Sequence, residues 1–110
     1  MGRVIAAYAY SEGQRAAEIQ LGESAAWAKD KSDFVWIGAH EPTEHDLRVL
    51  QAQFGLHELA VEDALNAHQV PKVEVYGESL FVVLRTAELM DGRITFGETH
   101  VFVGCDYIIT

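Results

Sequence analysis

"PKVEVYGESLFVVLRTAELMDGRITFGETHVFVG", residues 71–104, decides the fold class. After Pro71, Val73 and Val75 alternate with Lys72, Glu74 and Tyr76, which is the two-residue period of a strand. "YGES" (76–79) is a turn and "LFVVLRTAEL" (80–89) a long strand. Asp91-Gly92 has the composition of a tight hairpin, because both central residues of such a turn need positive φ. The returning strand runs through "ITFGETHVFVG" (94–104), with Gly97 predicting a bulge. A turn at 104–106, holding Cys105 and Asp106, leads to a last strand, "YIIT" (107–110). The stretch reads as an antiparallel meander.

Upstream of it lie two helices. In "HEPTEHDLRVLQAQFG" (40–55), Thr43 is placed to cap, and Glu44 and Asp46 fall in a first turn where the macrodipole favours negative charge. Leu47, Leu50 and Phe54 form one stripe, and Gly55 ends the helix. The second helix runs from about His57 to Asn66, with Leu56, Leu59, Ala60 and Ala64 on its packed side and Glu62 and Asp63 largely away. Before these comes "DFVWIGA" (33–39), an apolar β-rich run that reads as a buried central strand. Residues 3–10 read as a first strand. "QRAAEIQL" (14–21) reads as either a strand or a helical turn, and "ESAAWAKD" (23–30) as a short helix anchored by Trp27. The order predicts an α/β domain with a mixed, largely antiparallel sheet flanked by helices, a single domain over residues 1–110.

The 110 residues carry 8 basic and 17 acidic side chains, a formal charge of −9. That balance argues against nucleic acid or an anionic membrane surface as partner and is compatible with cations. The single cysteine, Cys105, excludes an internal disulfide framework and fits a reducing compartment. No apolar run approaches the roughly 20 residues that span a bilayer, and the amino terminus lacks a signal h-region. The sequence stops inside an apolar strand, which leads us to expect a fragment of something longer.

Catalytic signatures are scarce, and no catalytic residue or organic cofactor is expected. No nucleophile elbow, phosphate-cradling loop or dinucleotide fingerprint occurs. A Cys105–His100 nucleophile pair is disfavoured, because Asp106 beside Cys105 would raise the thiol pKa. The five histidines, 40, 45, 57, 68 and 100, match no zinc spacing and read as surface or capping residues. The acidic pair Glu62-Asp63 is left. Neighbours on a helix diverge by about 100°, so the two do not easily share one ion within the chain. By spacing alone the pair is a solvated helix face; alternatively it meets a cation held jointly with another segment or subunit.

The residues themselves carry a resemblance. Trp36-Ile37, Phe54 to His57, Glu62-Asp63, Pro71 to Glu74 and Leu80 to Arg85 keep the order and spacing of the amino-terminal cytoplasmic domain of CorA-type divalent-cation transporters. The resemblance covers residues 35–110. Members commonly have Arg-Pro-Lys where this chain has Val70-Pro71-Lys72.

The resemblance implies an αβα sandwich and a homo-oligomer, a pentamer in the full-length protein, on the cytoplasmic face of the membrane. It implies a regulatory Mg2+, or Co2+ or Zn2+, bound between protomers to gate a pore built from transmembrane helices absent here. Asp63 then corresponds to a ligand of that site, with Glu62 as the second candidate. The alternative is a free-standing ligand-binding or protein-interaction module that shares the fold without transport.

Overall fold

The computed structural model describes residues 4–19, 33–66 and 69–110. Seven strands form one sheet: β1 (Val4–Ser11), β2 (Gln14–Glu18), β3 (Phe34–Ala39), β4 (Lys72–Tyr76), β5 (Ser79–Met90), β6 (Arg93–Val103) and β7 (Tyr107–Ile109). Helices α1 (Glu44–Phe54) and α2 (Glu58–Leu65) lie between β3 and β4 in the chain. The strand order is β2-β1-β3-β7-β6-β5-β4. β3 and β7 pair in parallel, and the other described pairings are antiparallel. The sheet is therefore mixed and the domain α/β, as expected. The ambiguous 14–21 segment resolves into a strand. The short helix expected at 23–30, with Trp27, lies outside the described residues, as does His68.

The meander forms where its turn chemistry places it. Asp91 and Gly92 have φ of 50° and 75° and close a two-residue loop between Met90 and Arg93, which are paired across the hairpin. The bulge expected at Gly97 is absent: the β5–β6 ladder runs without a register shift, Gly97 facing Thr86. What glycine provides there is close approach. A Cβ at Gly97 would meet Thr86 Oγ1 at 2.8 Å.

α1 begins as its sequence predicts. Thr43 Oγ1 accepts from the Asp46 N–H at 3.1 Å, and the Thr43 N–H donates to Asp46 Oδ2 at 2.9 Å, a reciprocal cap that leaves neither donor orphaned. Its end is Gly55, left-handed at φ 69°, whose N–H returns to the Gln51 carbonyl. At α2, His57 is the cap, with Nδ1 accepting from the Leu59 N–H at 3.1 Å.

Both helices pack on one face of the sheet. Leu47, Leu50, Leu56, Ala60 and Val61 meet Ala9, Val35, Ile37, Phe81, Val83, Phe102 and Ile109 in one buried core. The expected packed side of α2 is corrected at one position. Leu59 is 54% exposed, while Val61 is fully buried, because the helix meets the sheet through Ala60 and Val61. On the sheet's other face Val73, Val75, Leu80 and Leu84 are exposed. That face also holds the cross-strand pairs Tyr8–Trp36 and Tyr10–Phe34, the latter stacked at 4.9 Å. Beyond the Arg85–Glu98 pair the β5–β6 hairpin is exposed on both sides.

Candidate cation site at the joint of α2 and β4

The alternation of "KVEVY" is present, and packing decides which side faces the helices. In β4, Lys72 pairs with Val83 and Glu74 with Phe81, both buried, so the polar side of the strand turns toward α2 and the valines turn outward. Pro71 precedes the strand at the sheet edge, where a missing N–H costs no ladder bond.

That orientation brings four polar groups together. Lys72 Nζ lies 2.6 Å from Asp63 Oδ2 and 2.5 Å from Glu74 Oε1. The Tyr76 hydroxyl donates to Glu74 Oε2 at 2.7 Å, and the Tyr76 ring stacks on His57, 4.1 Å between centroids. The two carboxylates hold the Lys72 ammonium well above its ordinary range, Asp63 contributing more than Glu74. In turn, the hydrogen bond from Lys72, then that from Tyr76, holds the Glu74 carboxyl below its usual value. The bond to Glu74 raises the Tyr76 hydroxyl, because ionising it would set one anion against another.

Glu62 and Asp63 separate as helix geometry requires. Glu62 is exposed, and its carbonyl accepts from Asn66 Nδ2 at 2.9 Å. Asp63 does not point away into solvent as expected. Its side chain is 29% exposed and turns to β4, because Lys72 offers a charge-assisted partner there. Glu74, which lies in a strand eleven positions on, carried no sequence signal as a member of the site; only its i, i+2 relation to Lys72 hinted at a shared face.

A second polar network, around Arg48, has a different role. Arg48 Nη1 donates to both oxygens of Glu58, at 3.0 and 2.9 Å, and to Gln51 Oε1 at 2.8 Å. Gln51 Nε2 donates to Glu58 Oε1 and to the Leu56 carbonyl. This network ties the end of α1 to the start of α2. It holds the Glu58 carboxyl below its ordinary value, with the Gln51 bond first among the causes.

His40 and His100 are engaged away from this site. His40 pairs with Glu41 at 2.9 Å on the surface, and His100 Nε2 lies 2.8 Å from Glu98 while its ring meets Phe81 edge-on. Cys105 is exposed. Among the described residues no group of three or more His, Cys, Asp or Glu side chains could hold a metal. Asp63 and Glu74 are both paired with the Lys72 ammonium. A separate cavity of about 890 Å³ opens between α1, α2 and β6, floored by Leu50, Leu65, Phe102 and Ile109 and edged by Arg85 and His100. No helix among the described residues is long and apolar enough to cross a membrane.

Three comparisons bear on this arrangement. Residues 31–110 match the family described as CorA-like Mg2+ transporter protein. The cobalt/magnesium transport protein CorA of Thermotoga maritima is 42% identical over 66 residues, covering 57% of this chain and 18% of that protein. A putative metal ion transporter of Schizosaccharomyces pombe is 36% identical over 53 residues, covering 48% of this chain and 7% of its own length. The chain thus spans less than a fifth of the curated relatives it matches.

Among solved structures, the soluble domain of CorA from Methanocaldococcus jannaschii superposes with a TM-score of 0.68 at 16% identity, over 96% of this chain and 38% of that one. Full-length CmaX gives 0.65 at 21% identity, over 96% and 33%. These likenesses show the fold. The family match covers well over half of the chain, and on that ground the chain belongs to the CorA-like Mg2+ transporter proteins.

Proposed function

We propose that this chain is the regulatory domain of a divalent-cation transporter, on the cytoplasmic side of the membrane, and not an enzyme. In this reading a divalent cation bound at Asp63, with Glu62 beside it on α2, bridges neighbouring protomers of a homo-oligomer, a pentamer, and so biases the pore. The family membership and the transport functions named for the relatives support it. The single observation that carries it is the position of Asp63, a carboxylate on α2 that is 29% exposed and held against the Lys72 ammonium rather than dispersed into solvent. The physical logic is electrostatic: copies of this 110-residue domain, each with a formal charge of −9, repel, and an ion shared between them offsets that repulsion. Oxygen-only donors favour Mg2+ over Zn2+ as the regulatory ion, and Co2+ is the remaining candidate.

Calorimetry with Mg2+ on the 110-residue chain tests the site. Weak binding is expected, because the partner protomer's ligand is missing from a lone chain, and Asp63→Ala should abolish it. Micromolar binding that survives Asp63→Ala would sink the reading. Sedimentation with and without Mg2+ tests association, which should be slight without the cation. The alternative, a ligand-binding module, is favoured by the apolar-floored cavity beside Arg85 and His100. It requires a ligand that protects those residues while leaving Asp63 untouched.

A further inference from the structure

β3 and β7 are the parallel pair of the sheet, and the cavity of about 890 Å³ opens at their carboxyl ends, lined there by Ala39 and Thr110. Open α/β sheets bind ligands in the crevice beyond the carboxyl ends of their strands, where side chains from several elements converge. The volume lies within the range of about 300–1,000 Å³ usual for small-molecule sites. The floor is apolar, with Leu50 from α1, Leu65 from α2, Phe102 from β6 and Ile109 from β7.

β5 and β6 supply a wall whose charges are unevenly matched. Their register sets Val83 opposite His100, Arg85 opposite Glu98 and Ala87 opposite Phe96, all on the side of the buried Phe81. Directly opposed arginine and glutamate ordinarily pair across the strands. Here Glu98 Oε1 turns along its own strand instead, to His100 Nε2 at 2.8 Å, and the two side chains are 19% and 16% exposed. The other acid of the lining, Glu41, is held by His40 at 2.9 Å. Arg85 is left at the cavity edge with no ion pair or hydrogen bond to any described residue. Beside it Phe96, 67% exposed, carries the apolar surface outward.

We infer that this cavity binds a small monocarboxylate with an apolar body, the carboxylate forked on the Arg85 guanidinium and the body over Leu65, Phe102 and Phe96. A guanidinium presents parallel donors that match the two oxygens of a carboxylate. A dianion would set its surplus charge against Glu98 and Glu41, and a cation would have to take either acid from its histidine. A neutral apolar molecule fills the floor but gains nothing from Arg85. The inference goes beyond the cation reading and is independent of it, because Asp63, Lys72 and Glu74 do not line the cavity.

Phenylbutyrate is the probe, with its neutral amide and acetate as controls, each titrated into the 110-residue chain and followed by NMR. The acid should bind about tenfold more tightly than the amide, the scale of one charge-assisted hydrogen-bonded contact. Acetate, which has no body to fill the floor, should bind far more weakly than either. Arg85→Gln should bring the acid down to the level of the amide, and Phe96→Ser, at an exposed position, should weaken acid and amide alike. Asp63→Ala should change neither, so this inference and the cation reading fail separately. Equal affinity for acid and amide, or acid binding unchanged by Arg85→Gln, overturns the inference. Acetate binding as tightly as the acid reduces Arg85 to an ordinary surface charge and also overturns it, as does the absence of saturable binding of the acid. Should Arg85→Gln fail to fold, the wild-type chain decides through the acid-to-amide ratio and through ligand contacts to Leu65 and Phe102, whose absence overturns the inference.

Discussion

The imidazole of His57 lies flat against the ring of Tyr76, 4.1 Å between centroids and 20° between planes. The same imidazole caps α2 through Nδ1, and the same tyrosine holds Glu74 through its hydroxyl. The start of the helix and the orientation of the Glu74 carboxylate are therefore one mechanical unit. Tyr76→Phe keeps the stack and loses the hydroxyl, so it should cost about 1 kcal/mol in urea unfolding and release Glu74. His57→Ala loses both cap and stack and should cost more than Tyr76→Phe.

Stability should fall at both ends of the pH scale. Asp46, Glu58 and Glu74 have carboxyl groups held below their ordinary values of 3.8 and 4.5, by the Thr43 N–H, by Gln51 and by Lys72 respectively. A depressed folded value contributes stability above the unfolded value and loses it as pH falls through the folded one. Lys72 and Tyr76 are raised above 10.5 and 10.0, so their contribution is complete below those values and is lost as pH rises through the folded ones. Melting followed by circular dichroism should give a plateau between about pH 5 and pH 9 with a fall on each side. Replacing Glu74 by Gln should flatten the alkaline fall.

Gly104→Ala should destabilise through Tyr107. A Cβ there would stand 2.1 Å from the Tyr107 ring, too close for any rotamer change at Gly104 to relieve. Tyr107 must then leave its contact with Phe54, whose ring centroid is 5.2 Å away. Overpacking of this kind costs about 1–3 kcal/mol, and the near-ultraviolet spectrum should change with it.

Phe81→Ala should be the most damaging of these substitutions. Phe81 is fully buried under α2 and meets Phe102 at 5.0 Å and His100 at 5.7 Å. The loss of transfer energy and the cavity together cost about 3–5 kcal/mol, a large share of the stability of a domain this size. Persistence of a cooperative transition at an unchanged denaturant midpoint would contradict the packing described.

Thr43→Ala removes one half of the reciprocal cap at α1 and leaves Asp46 without its donor's partner. A loss of about 1 kcal/mol is expected, and Thr43→Ser should recover most of it.

Much of this was legible in the chain before any fold was seen, and the reason is that the signals are local. Thr43, Gly55 and Asp91-Gly92 each specify a backbone conformation within four residues of themselves, and the structure has a cap, a left-handed stop and a hairpin at those places. The period-two pattern of 72–76 and the apolar run at 33–39 likewise need only the strand's own geometry. Gly97 misled because glycine in a strand has two explanations, a bulge or a close approach, and the choice belongs to Thr86 on the neighbouring strand.

The sequence by itself determined the α/β class, the two helices with their ends, the meander, and the presence of an acidic pair at 62–63. Only the tertiary structure decided that β3 and β7 run parallel, that Val61 rather than Leu59 is buried, and that Lys72 and Glu74 turn inward to meet Asp63. Hydrogen bonds within a turn or a helix end are set by neighbours in the chain. Which face of a strand is covered, and which charge meets which, depends on where a helix settles, and that follows from the summed burial of residues far apart in sequence.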